Sequence, residues 1–301
     1  MCNNVGLKHS LVKKILLYSM VLTLLFVGYD SFQDIITTTK DRIQSGFYSI
    51  LTKIEDGFKD KVARGDQQES HRNAIHDSSS QLTESANDNK HWPITGWPVE
   101  DLSTASGVKY LSGLEKDVIL HLNMARTNPP KYAKEFILPR IRFYRGKMYR
   151  EPWASSSFGG YVKQEGVEAV HECAGVMEHM SPMALLHPSE GISLAARDHA
   201  VDQSRVVDPG HTGSDGSNPS TRLNRYGKWH ITLGENISYG LVSGREIVAD
   251  LLVDDGVPDR KHRANILNSQ FKVVGVSIEK HPVYGYICVI DFAGTYREWR
   301  R

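Results

Sequence analysis

Three short polar signatures hold the side chains of this chain that could do chemistry. They are residues 211–217 (HTGSDGS), 234–237 (GENI) and 262–267 (HRANIL). Between them they carry two histidines, His211 and His262, and one acid, Glu235. Imidazoles and carboxylates that converge from separate segments can hold a divalent cation such as Zn²⁺ or activate a water. The pattern therefore predicts one cleft lined by His211, Glu235 and His262, which are also the predicted metal ligands.

Each of these three residues also has a purely structural interpretation. His211 is followed by turn-forming residues and could simply be hydrogen-bonded within that turn. Glu235 could anchor backbone amides of the same loop-rich stretch. His262 could cap the element that leads to Asn265. The sequence leaves both interpretations open for each residue.

A fourth side chain of the cleft is expected at the end of a helix. Apolar residues at 247, 248, 251 and 252 predict a helix from Gly244 to about Asp254. Asp254 falls seven residues after Ile247, two helical turns along, so its carboxylate lies near the end of the same face. Asp255 follows directly. Both aspartates are therefore cleft candidates, although solvated helix ends often carry aspartate.

The elements that would position these residues indicate an α+β fold. Apolar spacing predicts helices over residues 111–125, 167–177 and from about Ser189 or Ser193 to Val201. The first should stop at two prolines, Pro129 and Pro130. Residues 137–157 lack a period and predict an irregular excursion. Two β-branched runs, 271–278 and 284–292, predict an antiparallel hairpin, and helices on both sides of a small antiparallel sheet are the simplest packing.

The N-terminal third differs from the rest in composition. Lysines 8, 13 and 14 precede an apolar run at 15–27, which is shorter than the ~20 residues that span a bilayer. Residues 1–30 are predicted to be a signal anchor or a signal peptide, so the rest would be exported and tethered or secreted. Residues 31–64 carry one apolar stripe, which predicts an amphipathic helix. That helix could be a coiled-coil stalk, a helix on the membrane surface or a docking face for the globular domain. Residues 65–104 are predicted to be a flexible linker, and 105–301 the globular domain.

Charge and cysteine content exclude some classes of protein. The formal charge is +1 with 36 basic and 35 acidic residues, so no nucleic-acid partner is expected. Cys2 precedes the apolar run and is a candidate for acylation, whereas Cys173 and Cys288 allow at most one disulfide. Cys288 lies in an apolar run and is predicted to be a buried thiol. The sequon at Asn236 has apolar neighbours and is predicted to be packed.

Motif order across residues 110–296 resembles a known family. The motifs are Ala195 with His199 and Asp202, residues 211–217, Arg222 with Tyr226-Gly227, residues 234–237, 254–258 and 262–267, and 274–276 before Asp291-Phe292. Together they are similar to a CAP-superfamily domain, the group of cysteine-rich secretory proteins, antigen 5 and pathogenesis-related proteins. The resemblance is to the disulfide-poor, bacterial-like (SCP-like) form.

That resemblance implies an α-β-α sandwich, export from the cytoplasm, and a central cleft of two histidines and two acids that in some relatives binds a divalent metal. His211, Glu235 and His262 match three of these positions. Where relatives commonly have a glutamate, this chain offers Asp254 and Asp255, and Lys261 stands where many relatives have glycine. A carboxylate one methylene shorter would reach only through water, and either difference would weaken metal affinity.

Three functions remain open from the sequence. The first is a surface binding module for a lipid, sterol or other small hydrophobic ligand, a peptide or a glycan, with any metal ordering loops. The second is a metal-dependent ester or peptide hydrolase in the same cleft. The sequence contains neither a His-Glu-x-x-His motif nor a Gly-x-Ser-x-Gly motif, so catalytic residues are not assigned. The third is a structural envelope protein that assembles through residues 32–62. We favour the binding module.

Overall fold

The computed structural model describes residues 94–151, 160–205 and 209–299. The predicted segments 1–30 and 31–64, and the linker up to residue 93, lie outside these ranges. Within them, no helix has the length and apolar character needed to cross a bilayer. Residues 94–104, which the sequence assigned to the linker, contain a short helix and the buried side chain of Trp97.

Eight α-helices are found in the described residues. They are α1 (Val99–Leu102), α2 (Gly113–Thr127), α3 (Pro129–Tyr132), α4 (Val167–Glu178), α5 (Glu190–Gln203), α6 (Pro219–Tyr226), α7 (Gly244–Val253) and α8 (Lys261–Ile266). The predictions for α2, α4, α5 and α7 are confirmed. Pro129 and Pro130 end α2 as expected but also occupy the first turn of α3, where a missing N–H is tolerated.

Polar N-caps explain where the main helices begin. Ser112 and Glu115 form a capping box at α2, with the Ser112 N–H donating to the Glu115 carboxylate over 2.7 Å. The hydroxyls of Ser189 and Ser243 accept from backbone N–H groups at the starts of α5 and α7. Of the two starts considered for α5, Ser189 is therefore the cap. The amide oxygen of Asn218 does the same at α6.

The excursion predicted for 137–157 is partly regular. A π-helical turn at Ala133–Ile137 and a 3₁₀ helix at Leu138–Phe143 continue α3. Two short strands follow, and with a third they make a small antiparallel sheet: β1 (Tyr144–Arg145), β2 (Met148–Tyr149) and β3 (Tyr161–Val162). The irregular prediction was wrong for these residues, because strands of two residues are too short to show a sequence period.

The main sheet has four strands in the order β4-β6-β7-β5. These are β4 (His187–Pro188), β5 (Gly227–Tyr239), β6 (Val273–His281) and β7 (Gly285–Glu298). The predicted β6–β7 hairpin is confirmed, but pairing continues to His281 opposite Gly285, so its turn lies at 282–284. β4 pairs with β6 in parallel and the other pairs are antiparallel, so the sheet is not wholly antiparallel as expected.

Helices pack on both faces of this sheet. On one face, alternate residues of β6 and β7, such as Val276 and Ile290, join the large core with α2, α4 and α7. On the other face, Ile237 and Val289 pack against Ala196 of α5. The α+β prediction with a small, largely antiparallel sheet is confirmed. Both described cysteines are buried free thiols, which confirms the prediction for Cys288, and burial raises its pKa well above the usual value.

A close approach of helix and sheet lies at Gly275 of β6. A Cβ there would lie 2.3 Å from the carbonyl carbon of Ile192 and 2.3 Å from the nitrogen of Ser193, both backbone atoms of α5. We expect Gly275→Ala to lower the free energy of unfolding by about 2–3 kcal/mol, because the backbone must move. Urea unfolding followed by circular dichroism measures this.

The matched control is Gly175→Ala, in the middle of α4, where an added Cβ meets nothing within 4 Å. That change should raise the free energy of unfolding by about 0.5–1 kcal/mol, since alanine is the better helix former. Equal effects of the two substitutions would show that the contact between β6 and α5 is not tight.

Candidate functional site

Glu235 lies in the middle of strand β5, not in a loop as the sequence indicated. It is paired in register with Asp291 of β7. The strand is irregular just before it: the register shifts between His230 and Leu233, and Ile231 adopts a φ of 75°. The Glu235 side chain is only 1% exposed. A carboxylate is thus held inside the domain at a fixed place on a sheet.

The first histidine–carboxylate pair joins His211 to Glu235. The distance from His211 Nδ1 to Glu235 Oε1 is 2.7 Å, and the His211 side chain is 54% exposed. The second oxygen of Glu235 accepts from Arg222 Nη2 over 2.6 Å. Arg222 also donates to the His211 carbonyl over 3.1 Å. One buried guanidinium therefore positions both members of the pair.

Electrostatics fixes the proton within this pair. Burial opposes ionisation of Glu235, but the hydrogen bond from His211 and the charge of Arg222 outweigh it, so the pKa of Glu235 is lowered. An ionised carboxylate can only accept hydrogen bonds. The proton of neutral His211 therefore sits on Nδ1, and Nε2 keeps a lone pair.

The second pair joins His262 to Asp254. Asp254 caps the C-terminal end of α7 with a left-handed backbone, φ 54° and ψ 42°, which aspartate tolerates better than most residues. Its Oδ1 lies 2.6 Å from His262 Nδ1, and its Oδ2 accepts from the His262 backbone N–H over 2.9 Å. The turn into α8 brings His262 directly to this acid. The expectation that the shorter carboxylate would reach a metal only through water stays a prediction.

An amide bridge ties the two pairs together. Asn236, next to Glu235 on β5, donates to the His262 carbonyl over 3.0 Å. Asn265 of α8 donates to the Asn236 side-chain oxygen over 2.8 Å and to the Glu235 carbonyl over 3.3 Å. Asn236 is fully buried, so the prediction that its sequon is packed is confirmed. One hydrogen-bond network thus connects His211, Glu235, Asp254 and His262.

Asp255 serves a different purpose from its neighbour. Its carboxylate accepts hydrogen bonds from the backbone N–H groups of Gln164, Glu165 and Gly166, at the start of α4. These contacts place Asp255 with the α4 terminus and not with the histidines. Lys261 is exposed and lies 3.0 Å from Asp259, so its charge is partly compensated.

Two further residues of the site were not assigned from sequence. Asp291 is fully buried opposite Glu235, and its carboxyl group lies against that of Glu235. Burial and the charge of Glu235 raise its pKa well above the usual value, which favours a neutral carboxyl. His199 Nε2 lies 3.9 Å from Glu235 Oε1. An acid within an apolar strand was the available sequence signal for Asp291.

The two histidines are more exposed than the carboxylates that they contact, with side-chain exposures of 54% for His211 and 24% for His262. Each has its Nδ1 satisfied by a buried carboxylate, which is the arrangement that orients imidazoles for metal binding through Nε2. Both oxygens of Glu235 are already engaged, so it supports His211 from behind. Residues 94–151, 160–205 and 209–299 contain no group of three or more His, Cys, Asp or Glu placed to hold a metal ion.

A family model matches the part of the chain that contains His211, Glu235, Asp254 and His262. Residues 149–292 match the family model described as "CAP: Cysteine-rich secretory protein family". No curated protein matches the chain.

Two solved structures are similar to part of the chain. An outer surface protein from Borrelia burgdorferi is 17% identical, with a TM-score of 0.32, over 42% of this chain and 86% of that one. An extracellular protein containing a SCP domain from Bacillus anthracis is 24% identical, with a TM-score of 0.31, over 37% of this chain and 34% of that one.

Proposed function

This chain carries a domain of the cysteine-rich secretory protein (CAP) family, and from that premise we propose that it is an extracellular or cell-surface binding module. Its ligand site is centred on His211 and His262, which bind a divalent cation such as Zn²⁺ through their Nε2 atoms. The observation that carries this proposal is the pair of histidine–carboxylate hydrogen bonds, 2.7 Å at His211 and 2.6 Å at His262.

The carboxylates act on the metal through the imidazoles. Glu235 and Asp254 fix each ring in the tautomer that a cation needs and raise the basicity of Nε2. Both acids are 1% exposed, whereas the side chains of His211 and His262 are 54% and 24% exposed. A cation would therefore sit at the solvent side of the pairs. Two protein ligands leave other positions of a tetrahedral ion open.

Those open positions favour a polar ligand. A carbonyl, hydroxyl or carboxylate of a peptide or glycan can complete the coordination of the ion, which a hydrocarbon cannot do. Among the ligand classes expected from the sequence, peptide and glycan are therefore preferred over a small hydrophobic molecule. A peptide or glycan group that coordinates the ion would exchange readily, which suits reversible binding at the cell surface.

Hydrolysis is less well supported than binding. A metal-bound water could attack an ester or amide, but the oxyanion that forms needs a free hydrogen-bond donor. The guanidinium nearest to His211 is Arg222, and its terminal nitrogens already donate to Glu235 and to the carbonyls of His211 and Ser217. That guanidinium is committed to positioning the pair.

An exported location agrees with the family and with the sequence of the N-terminal segment. The family is described as secretory. The lysines and apolar run at 8–27 would leave the domain outside the membrane, tethered or secreted. The nearly balanced charge gives no reason to expect nucleic acid as a partner.

Calorimetric titration with Zn²⁺ tests the site. We expect the full chain, purified in a mild detergent and stripped with a chelator, to bind Zn²⁺ at least about 100-fold more tightly than the His211→Ala, His262→Ala double variant. The matched control is His171→Ala, which removes an exposed histidine of α4 outside the site. It should bind as the unchanged chain does.

Two outcomes would overturn the proposal. Equal Zn²⁺ affinity of the double variant and the unchanged chain would place any metal elsewhere. Zn²⁺-dependent turnover of an ester, peptide or glycan, lost in the double variant, would show that the chain is a hydrolase.

A further inference from the structure

The small sheet β1–β3 carries exposed basic and apolar side chains together on its outer face. We define the outer face as Arg145, Met148 and Val162, which are cross-strand partners and so share one side of the sheet, with Lys147 in the turn before β2. Val162 is 77% exposed and Met148 is 36% exposed. We propose that the outer face docks onto a lipid bilayer that contains anionic lipid.

The opposite face of this sheet fixes it to the domain. Tyr144, Tyr149 and Tyr161 are the cross-strand partners on that side. The Tyr149 hydroxyl donates to the Glu246 carboxylate of α7 over 3.1 Å, and the Tyr161 hydroxyl donates to the Gly240 carbonyl over 3.0 Å. The outer face therefore points away from the core and is held in place from behind.

The sequence that forms the outer face is strongly basic. Residues 140–150 contain five basic residues and no acid, although the whole chain has a formal charge of only +1. One of the five, Arg140, is paired inside the domain. Arg145 and Lys147 donate to backbone carbonyls, and neither has a carboxylate within ion-pair distance in the part of the chain that the structure describes. These two charges are therefore uncompensated.

The apolar side chains select a bilayer among possible anionic partners. Arg145 and Lys147 alone would attract any polyanion. Met148 and Val162 lie beside them, and a hydrated acidic polysaccharide would leave these two side chains in water. At a bilayer surface the apolar side chains enter the boundary between headgroups and acyl chains, while arginine and lysine contact anionic headgroups. The outer face matches this combination.

Docking of the outer face would be a second membrane contact, separate from the anchor predicted at residues 1–30. A domain tethered to a bilayer meets its surface at a high effective concentration, so a weak docking face is enough to orient it. The contact does not depend on metal binding at His211 and His262. Its test can therefore fail or succeed independently of the Zn²⁺ titration.

An environment-sensitive dye on the outer face tests docking in the full chain. The dye is attached to Val162→Cys in a Cys2→Ser background, because Cys173 and Cys288 are buried. The chain is reconstituted into vesicles of phosphatidylcholine, with or without phosphatidylglycerol. We expect the emission to rise and shift to the blue only in the anionic vesicles. It should return to the neutral-vesicle value in 1 M NaCl, where the screening length falls to about 3 Å.

The matched label is Ile231→Cys in the same background. Ile231 is 67% exposed. It lies nine residues before Gly240 along β5, about 30 Å from the residue that Tyr161 contacts. A dye at this position should give the same emission in both kinds of vesicle.

A double substitution tests the basic residues of the outer face. Arg145→Gln, Lys147→Gln should lower the ratio of lipid-inserted to solvent-exposed dye about 30-fold, since each basic residue beside anionic lipid contributes about fivefold. The matched control is Lys228→Gln, Arg297→Gln. These two exposed residues are cross-strand partners on β5 and β7, and their replacement removes the same charge. The control should leave the ratio unchanged.

Three outcomes would overturn the proposal. The first is equal emission from the Val162→Cys label in neutral and anionic vesicles. The second is an equal effect of the two double substitutions. The third is a dye response to soluble dextran sulfate without a response to anionic vesicles, which would identify an acidic polysaccharide as the partner.

Discussion

Replacing Arg222 with methionine is expected to lower the free energy of unfolding by about 3–5 kcal/mol. The guanidinium is buried and donates to Glu235 over 2.6 Å and to the Ser217 carbonyl over 3.0 Å. Methionine fills similar space but leaves the Glu235 charge buried without its cation and leaves carbonyl groups unpaired. Urea unfolding at pH 7 measures the loss.

Arg225→Met is the matched control on the same helix, α6. Arg225 pairs with Asp198 and Asp215 at the surface, where its side chain is 37% exposed. Surface pairs of this kind contribute at most about 1 kcal/mol. A loss in Arg222→Met no larger than that in Arg225→Met would show that the buried contact with Glu235 is not what stabilises this region.

The pH dependence gives a second readout for Arg222. Because the folded-state pKa of Glu235 is lowered, its contribution to stability is present above the unfolded pKa and is lost as pH falls through the folded pKa. Without Arg222 the pKa of Glu235 should rise. The unchanged chain should therefore lose stability on acidification, and the Arg222→Met variant should lose less.

The helices could be predicted because local rules decide them. Apolar spacing set the buried faces of α2, α5 and α7, and Ser112, Ser189 and Ser243 mark their starts by side-chain hydrogen bonds to the first turn. These signals lie within a few residues of each other. Tertiary packing is compatible with the helices that these local signals specify.

Strand β5 could not be predicted from the same kind of signal. Its burial alternates poorly, and Glu235 and Asn236 are polar yet buried, so the sequence has the character of a loop. The strand exists because it pairs with β7, and the polar groups are acceptable because Arg222 and Asn265 satisfy them. These partners are distant in sequence, which no local pattern shows.

The same reason explains which acid serves which histidine. Asp254 and Asp255 are adjacent aspartates, and their spacing in the sequence could not show which of them contacts His262. The backbone at Asp254 is left-handed. The Asp254 carboxylate contacts the His262 ring and accepts from the backbone N–H of Arg263. Asp255 then meets the start of α4 instead. The φ and ψ angles of Asp254 thus determine which of the two aspartates contacts His262.

Asp291→Asn should raise the free energy of unfolding at pH 7 by roughly 2 kcal/mol. Asp291 is fully buried beside Glu235, and its carboxyl group lies against the Glu235 carboxylate. Burial and the charge of Glu235 raise its folded-state pKa. The stability from this group is therefore fully present below the unfolded pKa of about 4 and is lost as pH rises toward the folded pKa. Asparagine has the same shape and no proton to lose.

The pH profile of unfolding separates this cause from a packing effect. The advantage of Asp291→Asn should be small near pH 4 and should grow toward pH 8, because the unfolded aspartate ionises at a lower pH than the folded one. Asp259→Asn, at an exposed position beside Lys261, is the control and should change the free energy of unfolding by at most about 0.5 kcal/mol. A gain of equal size at pH 4 and pH 8 would mean that asparagine packs better, and that Asp291 is not held neutral beside Glu235.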